Sequence, residues 1–330
     1  MATLKDVANQ AQVSITTVSR FLNNDPGLIL PDSTREAILH AVETLHYVKK
    51  PKKDKSAFTM GILQWYSLEQ ELNDPYYLSI RMGVESYCKK EHMQIIRVLQ
   101  SDANSLDSLK EVDGLICIGK FSSQETDDFA GLCPHIIFLD MKSKRIRYPS
   151  VSLDFNQALK DAIDYLHALN HQTIGFLGGE EYVDENTKYP DERLEIFKHY
   201  CDAYDMHYQD HLYITQYTKE AGYTMMNSLL EKPSHPTAVF CASDPLAIGA
   251  MRALKEKNIK VPEEMSIIGF DDIEDAFYST PPLTTLHAPA KEMGYLGAKM
   301  IHKMLSDDDL TPMQIVLPCT LMERESCKKI

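Results

Sequence analysis

Short apolar runs alternate with amphipathic stretches along most of the chain, and this alternation restricts the fold more than any other property of the sequence. The runs fall at 60–65, 95–99, 114–118, 136–139, 174–177, 238–241 and 266–270, and they predict strands. Apolar residues at helical spacing mark 77–91, 158–169, 194–204, 221–230, 246–257 and 291–305. Strands alternating with helices form mostly parallel sheets covered on both faces. Sheets of this kind take ligands beyond the carboxyl ends of their strands.

The first two dozen residues follow another pattern. Thr3 and Asp6 have the spacing of a capping box. Leu4, Val7, Ala8 and Ala11 make one apolar stripe, Val13 plugs a turn, and Ser14 suits the cap of a second helix. Along that helix Val18, Phe21 and Leu22 point inward, which leaves Ile15, Thr16, Ser19, Arg20 and Asn23 on the other face. An apolar residue, two hydroxyls, an arginine and an amide suit a major groove, where arginine pairs with guanine and apolar atoms meet the thymine methyl. An ordinary helical hairpin with a polar outer face has the same periodicity. Pro31, Asp32 and Ser33 then open a third helix with Ile38, Leu39, Val42 and Leu45 as its inward stripe.

The whole string separates these readings. It resembles the headpiece of the LacI/GalR family of bacterial transcription regulators, whose signature runs T-x-x-D-V-A-x-x-A-x-V-S-x-x-T-V-S-R-x-L-N. Thr3, Asp6, Val7, Ala8, Ala11, Val13, Ser14, Thr17, Val18, Ser19, Arg20, Leu22 and Asn23 match it. Gln12 stands where the family usually has glycine, and a side chain there costs about 1–2 kcal/mol if φ is positive. The likeness implies DNA contacts from Thr3, Ser14, Ile15, Thr16, Thr17, Ser19, Arg20 and Asn23. It also implies a backbone contact from Tyr47, for which a place in the core is the other reading. Residues 239–253 and 268–285 resemble the family's regulatory domain, which is similar to periplasmic sugar-binding proteins. The implied fold is an N-terminal all-α helix-turn-helix headpiece (1–48), a basic linker (49–58) and an α/β periplasmic-binding-protein-like body (59–330). That body has two Rossmann-like sub-domains, expected at about 59–152 with 288–312 and 153–287 with 313–330.

Charge divides the same way. The formal net charge is -14, but residues 1–55 carry eight Lys/Arg against six Asp/Glu, so the acidity lies in the remainder. This asymmetry places a nucleic-acid surface at the N-terminus. The lysines of 49–55 surround Pro51 and lack the leucine of the family's hinge helix, so backbone charge is expected to replace a minor-groove wedge. Seven cysteines without CxxC spacing suggest reduced core thiols and a cytoplasmic setting, with no zinc. No signal peptide or membrane span is expected.

A sugar offers hydroxyl pairs and an apolar face, so its site needs charged hydrogen-bond partners and aromatic rings. Asp140 and Asp271 directly follow apolar runs, Arg193 opens a helix, and Asp74, Tyr76 and Tyr77 precede the long helix after the first strand. Tyr217 ends a strand-like run, and Lys120 and Ser243 complete the expected effector set. A strand-end aspartate also serves as a helix cap or ion-pair member. Two carboxylates with only Lys120 and Arg193 as nearby cations favour a neutral sugar over a sugar phosphate. The run 73–85 most resembles repressors of β-galactosidase and galactose operons, which implies galactose or a β-galactoside such as lactose.

The function expected is a transcriptional repressor released from a palindromic operator by that sugar, acting as an isologous dimer. A dimer is favoured over a tetramer because no leucine heptad tail precedes Ile330. The stripe Tyr77, Ile80, Val84 and Tyr87 reads either as core or, from the family, as part of the dimer interface. A regulator of the same family activated by a sugar or co-repressor is the alternative. A sugar-processing enzyme is the reading from another class, and P-loop, GxSxG, HExxH and GxGxxG motifs are all lacking. No catalytic residue, cofactor or metal is expected, and the run 307–309 reads as a solvated helix end.

Overall fold

The computed structural model describes residues 3–22, 27–45, 47, 58–142, 148–183, 187–306 and 311–330. Asn23, the lysine linker and the acidic run 307–309 lie outside the described residues. The chain forms two compact units, 1–55 and 56–330.

The first unit has three helices, α1 (Leu4–Gln10), α2 (Ile15–Leu22) and α3 (Asp32–Thr44). Thr3 and Asp6 form the capping box, with Thr3 N donating to Asp6 Oδ2 at 2.8 Å. Gln12 turns the chain at φ 53°, so the non-glycine residue does adopt the left-handed conformation. Ser14 Oγ caps α2 by accepting from Thr17 N at 3.0 Å. Val7, Ala8, Ala11, Val18, Ile38 and Ala41 make the core. Two expectations for α3 are corrected. Its cap is Pro31, without a side-chain hydrogen bond, and Leu39 is 51% exposed rather than inward. Ile38 and Ala41 are its fully buried residues, and Ala37, Val42 and Leu45 pack against the same core half-buried.

The second unit begins with β1 (Thr59–Gln64), α4 (Leu68–Asn73), α5 (Tyr76–Lys90), β2 (Gln94–Leu99), a 3₁₀ segment (Ala103–Glu111), β3 (Gly114–Ile118), α6 (Ser123–Leu132), β4 (Ile136–Leu139) and β5 (Ser150–Leu153). The chain then crosses over into α7 (Phe155–Ala168), β6 (Ile174–Gly179), a hairpin of β7 (Glu181–Tyr182) and β8 (Lys188–Tyr189), α8 (Glu192–Ala203), β9 (Leu212–Thr215), α9 (Lys219–Leu230), β10 (Ala238–Cys241), α10 (Asp244–Glu256), β11 (Ser266–Asp271), α11 (Glu274–Tyr278) and β12 (Thr284–His287). It returns through α12 (Ala290–Ser306) and β13 (Gln314–Leu317), and crosses a third time to β14 (Thr320–Met322).

Two six-stranded sheets result, in the orders β13-β5-β4-β3-β1-β2 and β14-β12-β11-β10-β6-β9. Every pairing within them is parallel except β12 with β14. Central strands β3, β4, β10 and β11 are buried throughout, which is why they read as unbroken apolar runs. β13 pairs with β5, so 313–317 belong to the first sub-domain, and the third crossing lies at 318–319 rather than at 312–313. Tyr77, Ile80, Val84 and Tyr87 are all buried inside this chain, so that stripe is core, and Met82 is the exposed apolar residue of α5. Among the described residues no helix is long and apolar enough to cross a membrane.

The helices that cover the sheets cross at glycines. A Cβ on Gly294 of α12 would overlap the Ile80 carbonyl of α5, and one on Gly83 would overlap the Lys291 carbonyl. The other sub-domain repeats the device, Gly249 of α10 meeting the Lys219 carbonyl and Gly222 of α9 the Leu246 carbonyl.

Candidate functional site

In the headpiece, Ser14, Ile15, Thr16 and Arg20 are exposed, and Thr17 and Ser19 are half-buried. Ile15 is 47% exposed, unusual for an isoleucine at a helix start with a core a turn away. Thr3 and Ser14 spend their hydroxyls on capping, and Thr17 Oγ1 lies 2.8 Å from Ser14 Oγ. These three therefore offer their remaining hydrogen-bond capacity and backbone rather than unused side chains. Tyr47 is half-buried against the core, with its N donating to Val42 O at 2.9 Å.

In the body, the carboxyl ends of both sheets' strands converge on one cleft of about 690 Å³, its open mouth included. Asp74, Tyr76, Tyr77, Lys120, Asp140, Arg193, Tyr217, Ser243 and Asp271, expected from sequence, all line it. Strand order explains the convergence: Lys120 follows β3, Asp140 follows β4, Ser243 follows β10, and Asp271 ends β11. Asp140 and Asp271 both have positive φ, 64° and 111°, which turns the backbone sharply as it leaves the sheet. Gly269 makes room for the buried Asp244 carboxylate behind this wall, where a Cβ would overlap it. That carboxylate accepts from Thr285 Oγ1 at 2.6 Å and Ile273 N at 2.9 Å, fixing the loop after β11.

Sequence reasoning missed several lining residues, among them Tyr66, Lys142, Phe155, Glu181, Asp191 and Glu192. Glu181 belongs to the short β7–β8 hairpin between β6 and α8, and strands of two residues carry no periodic signal. Lys142 corrects the expectation that Lys120 and Arg193 are the only cations nearby.

The charges of the cleft pair off by position. Lys120 Nζ donates to Asp140 Oδ2 at 2.6 Å, Lys142 Nζ to Glu192 Oε2 at 2.7 Å, and Arg193 Nε to Asp191 Oδ1 at 2.9 Å. The Asp140 carboxylate also accepts from the Tyr76 and Tyr77 hydroxyls, at 2.9 and 2.8 Å. Arg193 reaches further, donating to Ala242 O at 2.7 Å and to the Tyr217 hydroxyl, with its guanidinium 5.0 to 5.6 Å from the rings of Tyr217, Phe155 and Phe270. Burial pushes the Asp191 carboxyl up, but the Arg193 charge and three hydrogen-bond partners outweigh it and hold the group below the usual carboxylate range.

Asp74, Glu181 and Asp271 remain without a cation of their own. Burial raises Asp74 to about 6 and Glu181 to about 7, and raises Asp271 well above its ordinary value with help from Asp74 and Asp244. Such acids accept a proton near neutrality and can donate a hydrogen bond to a neutral oxygen. A ligand anion would find every lining cation already paired, whereas a polyol meets donors, acceptors and rings.

The raised Glu181 group has a consequence for stability. Folded chain holds this proton up to about pH 7, but unfolded chain releases it near pH 4, so its contribution is lost as pH rises through that window. Glu181→Gln should therefore raise the melting free energy at pH 8 by up to about 3 kcal/mol and change it little at pH 5. Thermal melts at both pH values check this, and an equal shift at the two would contradict it.

Comparison with known proteins places both units. Residues 3–50 match the family described as bacterial regulatory proteins, lacI family, and 163–327 match the periplasmic binding protein-like domain. The chain is 33% identical over 343 residues to the HTH-type transcriptional repressor MelR of Bacillus subtilis (strain 168), covering 99% of this chain and 98% of that protein. The chain belongs to the LacI family of bacterial transcription regulators. This regulator is also 35% identical to the HTH-type transcriptional regulator GalR of Streptococcus thermophilus, over 99% of its own length and all of the relative. The crystal structure of the lac repressor dimer bound to operator and the anti-inducer ONPF superposes with a TM-score of 0.71 at 23% identity, covering 99% of both chains, a likeness that shows the fold. This LacI-family protein is thus a DNA-binding transcription regulator and not an enzyme.

Proposed function

We propose that this regulator is a cytoplasmic homodimer that represses transcription from a palindromic operator and is released by a small neutral sugar, galactose or a β-galactoside such as lactose. The observation that carries the reading is the charge pattern of the cleft: every cation lining it is tied to a carboxylate, with buried carboxylates to spare and aromatic walls. A phosphorylated or acidic sugar would find no unpaired cation among the lining residues. The relatives named GalR and MelR support a galactose-type ligand, and the dimeric, operator-bound lac repressor supports the assembly.

In this reading 1–48 reads DNA, 49–58 is a basic tether and 59–330 senses the effector. Ile15, Thr16, Ser19, Arg20 and Asn23 face the major groove, Thr3, Ser14 and Thr17 add further DNA contacts, and Tyr47 touches the phosphate backbone. Asp74, Tyr76, Tyr77, Lys120, Asp140, Arg193, Tyr217, Ser243 and Asp271 enclose the sugar. A hundredfold loss of operator affinity requires about 2.7 kcal/mol of difference in effector binding between the two states, within reach of a few charge-assisted hydrogen bonds.

Operator binding measured with and without galactose, lactose and other sugars is the deciding experiment. A sugar that weakens binding supports repression with induction, one that tightens it supports the co-repressor alternative, and indifference to all sugars overturns the reading. In the same assay Arg20→Ala should weaken specific operator binding by about ten- to a hundredfold. Equal weakening on unrelated DNA would remove Arg20 from base recognition.

A further inference from the structure

The cleft does not end at the pocket around Asp140 and Arg193. It opens outward into a second chamber of about 1700 Å³, solvent at its mouth included. Tyr66, Asp74, Glu181 and Tyr217 line both spaces and form the neck between them. Both sub-domains build the outer chamber: Trp65 and Asn73 come from the first, and Glu180, Tyr182, Gln216 and Thr218 from the second.

No lysine or arginine lines it; its acids are Asp74 and Glu181 at the neck, the exposed Glu220, and Glu180, which accepts from Lys188 Nζ at 2.6 Å and from the Tyr182 hydroxyl at 2.5 Å. Beside these acids stand the amides of Asn73 and Gln216 and the hydroxyls of Thr215 and Thr218, donors and acceptors that match vicinal hydroxyls, together with the indole of Trp65. That ring is held in place. Trp65 N donates to Ile118 O at 3.0 Å, and the indole packs 5.0 Å from Tyr66 and 5.6 Å from Tyr77. Behind it Gly119, at φ 113°, leaves room that any Cβ would take from Trp65. A fixed aromatic beside amides in a chamber that no lysine or arginine lines is suited to a second sugar ring, further out than the first.

We propose that the effector is a neutral disaccharide or longer oligosaccharide, with one ring in the inner pocket and the next in the outer chamber against Trp65. The proposal rests on the sugar reading above and adds the size of the ligand and the residues that select it. Neck residues Glu181 and Tyr217 flank the glycosidic linkage, and Asn73 and Gln216, both exposed, meet the second ring.

Trp65 is the only tryptophan of the chain and lines the outer chamber and not the inner pocket, so its emission is a direct probe of the second ring. Galactose, lactose and the trisaccharide raffinose are titrated into the full-length protein, with calorimetry for affinity and tryptophan emission for site. The expected result is that a di- or trisaccharide binds at least about tenfold tighter than galactose and shifts the emission, whereas galactose leaves it nearly unchanged. Trp65→Ala should remove most of that advantage and leave galactose affinity within about twofold. The double variant Asn73→Ala/Gln216→Ala, which changes only exposed side chains, should reduce the same advantage without touching the fold. Galactose binding as tightly as the larger sugars, in wild type and variants alike and without an emission change, would overturn the outer platform and leave the sugar reading standing. Heat from none of the sugars would overturn the sugar reading and this proposal with it.

Discussion

Arg193→Ala should give a protein that occupies its operator but no longer responds to effector. The guanidinium joins Asp191, Tyr217 and the Ala242 carbonyl, so truncation leaves a buried carboxylate without its counter-charge and a carbonyl without its donor. It also empties the space between three aromatic rings. Breaking one half of a buried pair costs about 3–5 kcal/mol, so the body should melt lower. Effector affinity should fall by more than about a hundredfold, since the group that orders Asp191 and Tyr217 is gone. Arg193→Lys keeps the charge but not the planar fork, and should recover stability more than effector binding. Calorimetry with the sugar, melting curves and operator binding without sugar separate the three effects. An effector response within tenfold of wild type would sink the role given to Arg193.

The second large effect concerns the glycine crossings. Gly294→Ala or Gly249→Ala puts a methyl into a backbone carbonyl of the facing helix, Ile80 or Lys219 respectively. Backbone has no rotamer to move, so α5 and α12, or α9 and α10, must separate along their whole contact. Overpacking of this kind costs at the upper end of about 1–3 kcal/mol, or about 5–10 °C in melting temperature for a unit of this size. Gly131, exposed near the end of α6 with nothing within 4 Å of its Cβ position, is the internal control. There alanine should be neutral or stabilising by up to about 1 kcal/mol, because only helix propensity changes. Equal loss at Gly131 and Gly294 would show that the crossings are not the cause.

Elements with strong periodicity were legible in the chain. Runs such as 114–118, 136–139 and 238–241 coincide with β3, β4 and β10 because strands buried on both faces have no polar alternation to blur them. Half-exposed strands escaped: β13 has the burial pattern of an edge, and nothing in Gln314–Leu317 says which sheet it joins. Leu39 was misplaced inward because helical spacing assigns it to a face, while α3 docks through Ala37, Ile38, Ala41 and Val42 and leaves Leu39 outside that surface.

The candidate site divides along the same line. Part of the lining of the cleft followed from sequence, since strand-end positions such as Asp140 and Asp271 are local and parallel sheets gather them at one edge. Their ionisation did not follow, because it depends on which charge lies beside which. Lys120 meets Asp140 from twenty residues away, Lys142 meets Glu192 from fifty, and Glu181 is left over on a hairpin with no sequence signal. By itself the sequence determined the first two helices of the headpiece, their caps at Thr3 and Ser14 and the alternation of strands and helices, since each is set by residues within a turn or two. Only the tertiary structure decided the charge balance of the cleft, the glycine crossings that close each sub-domain and the second chamber beside Trp65. Those depend on distances between segments far apart in the chain, which no local pattern encodes.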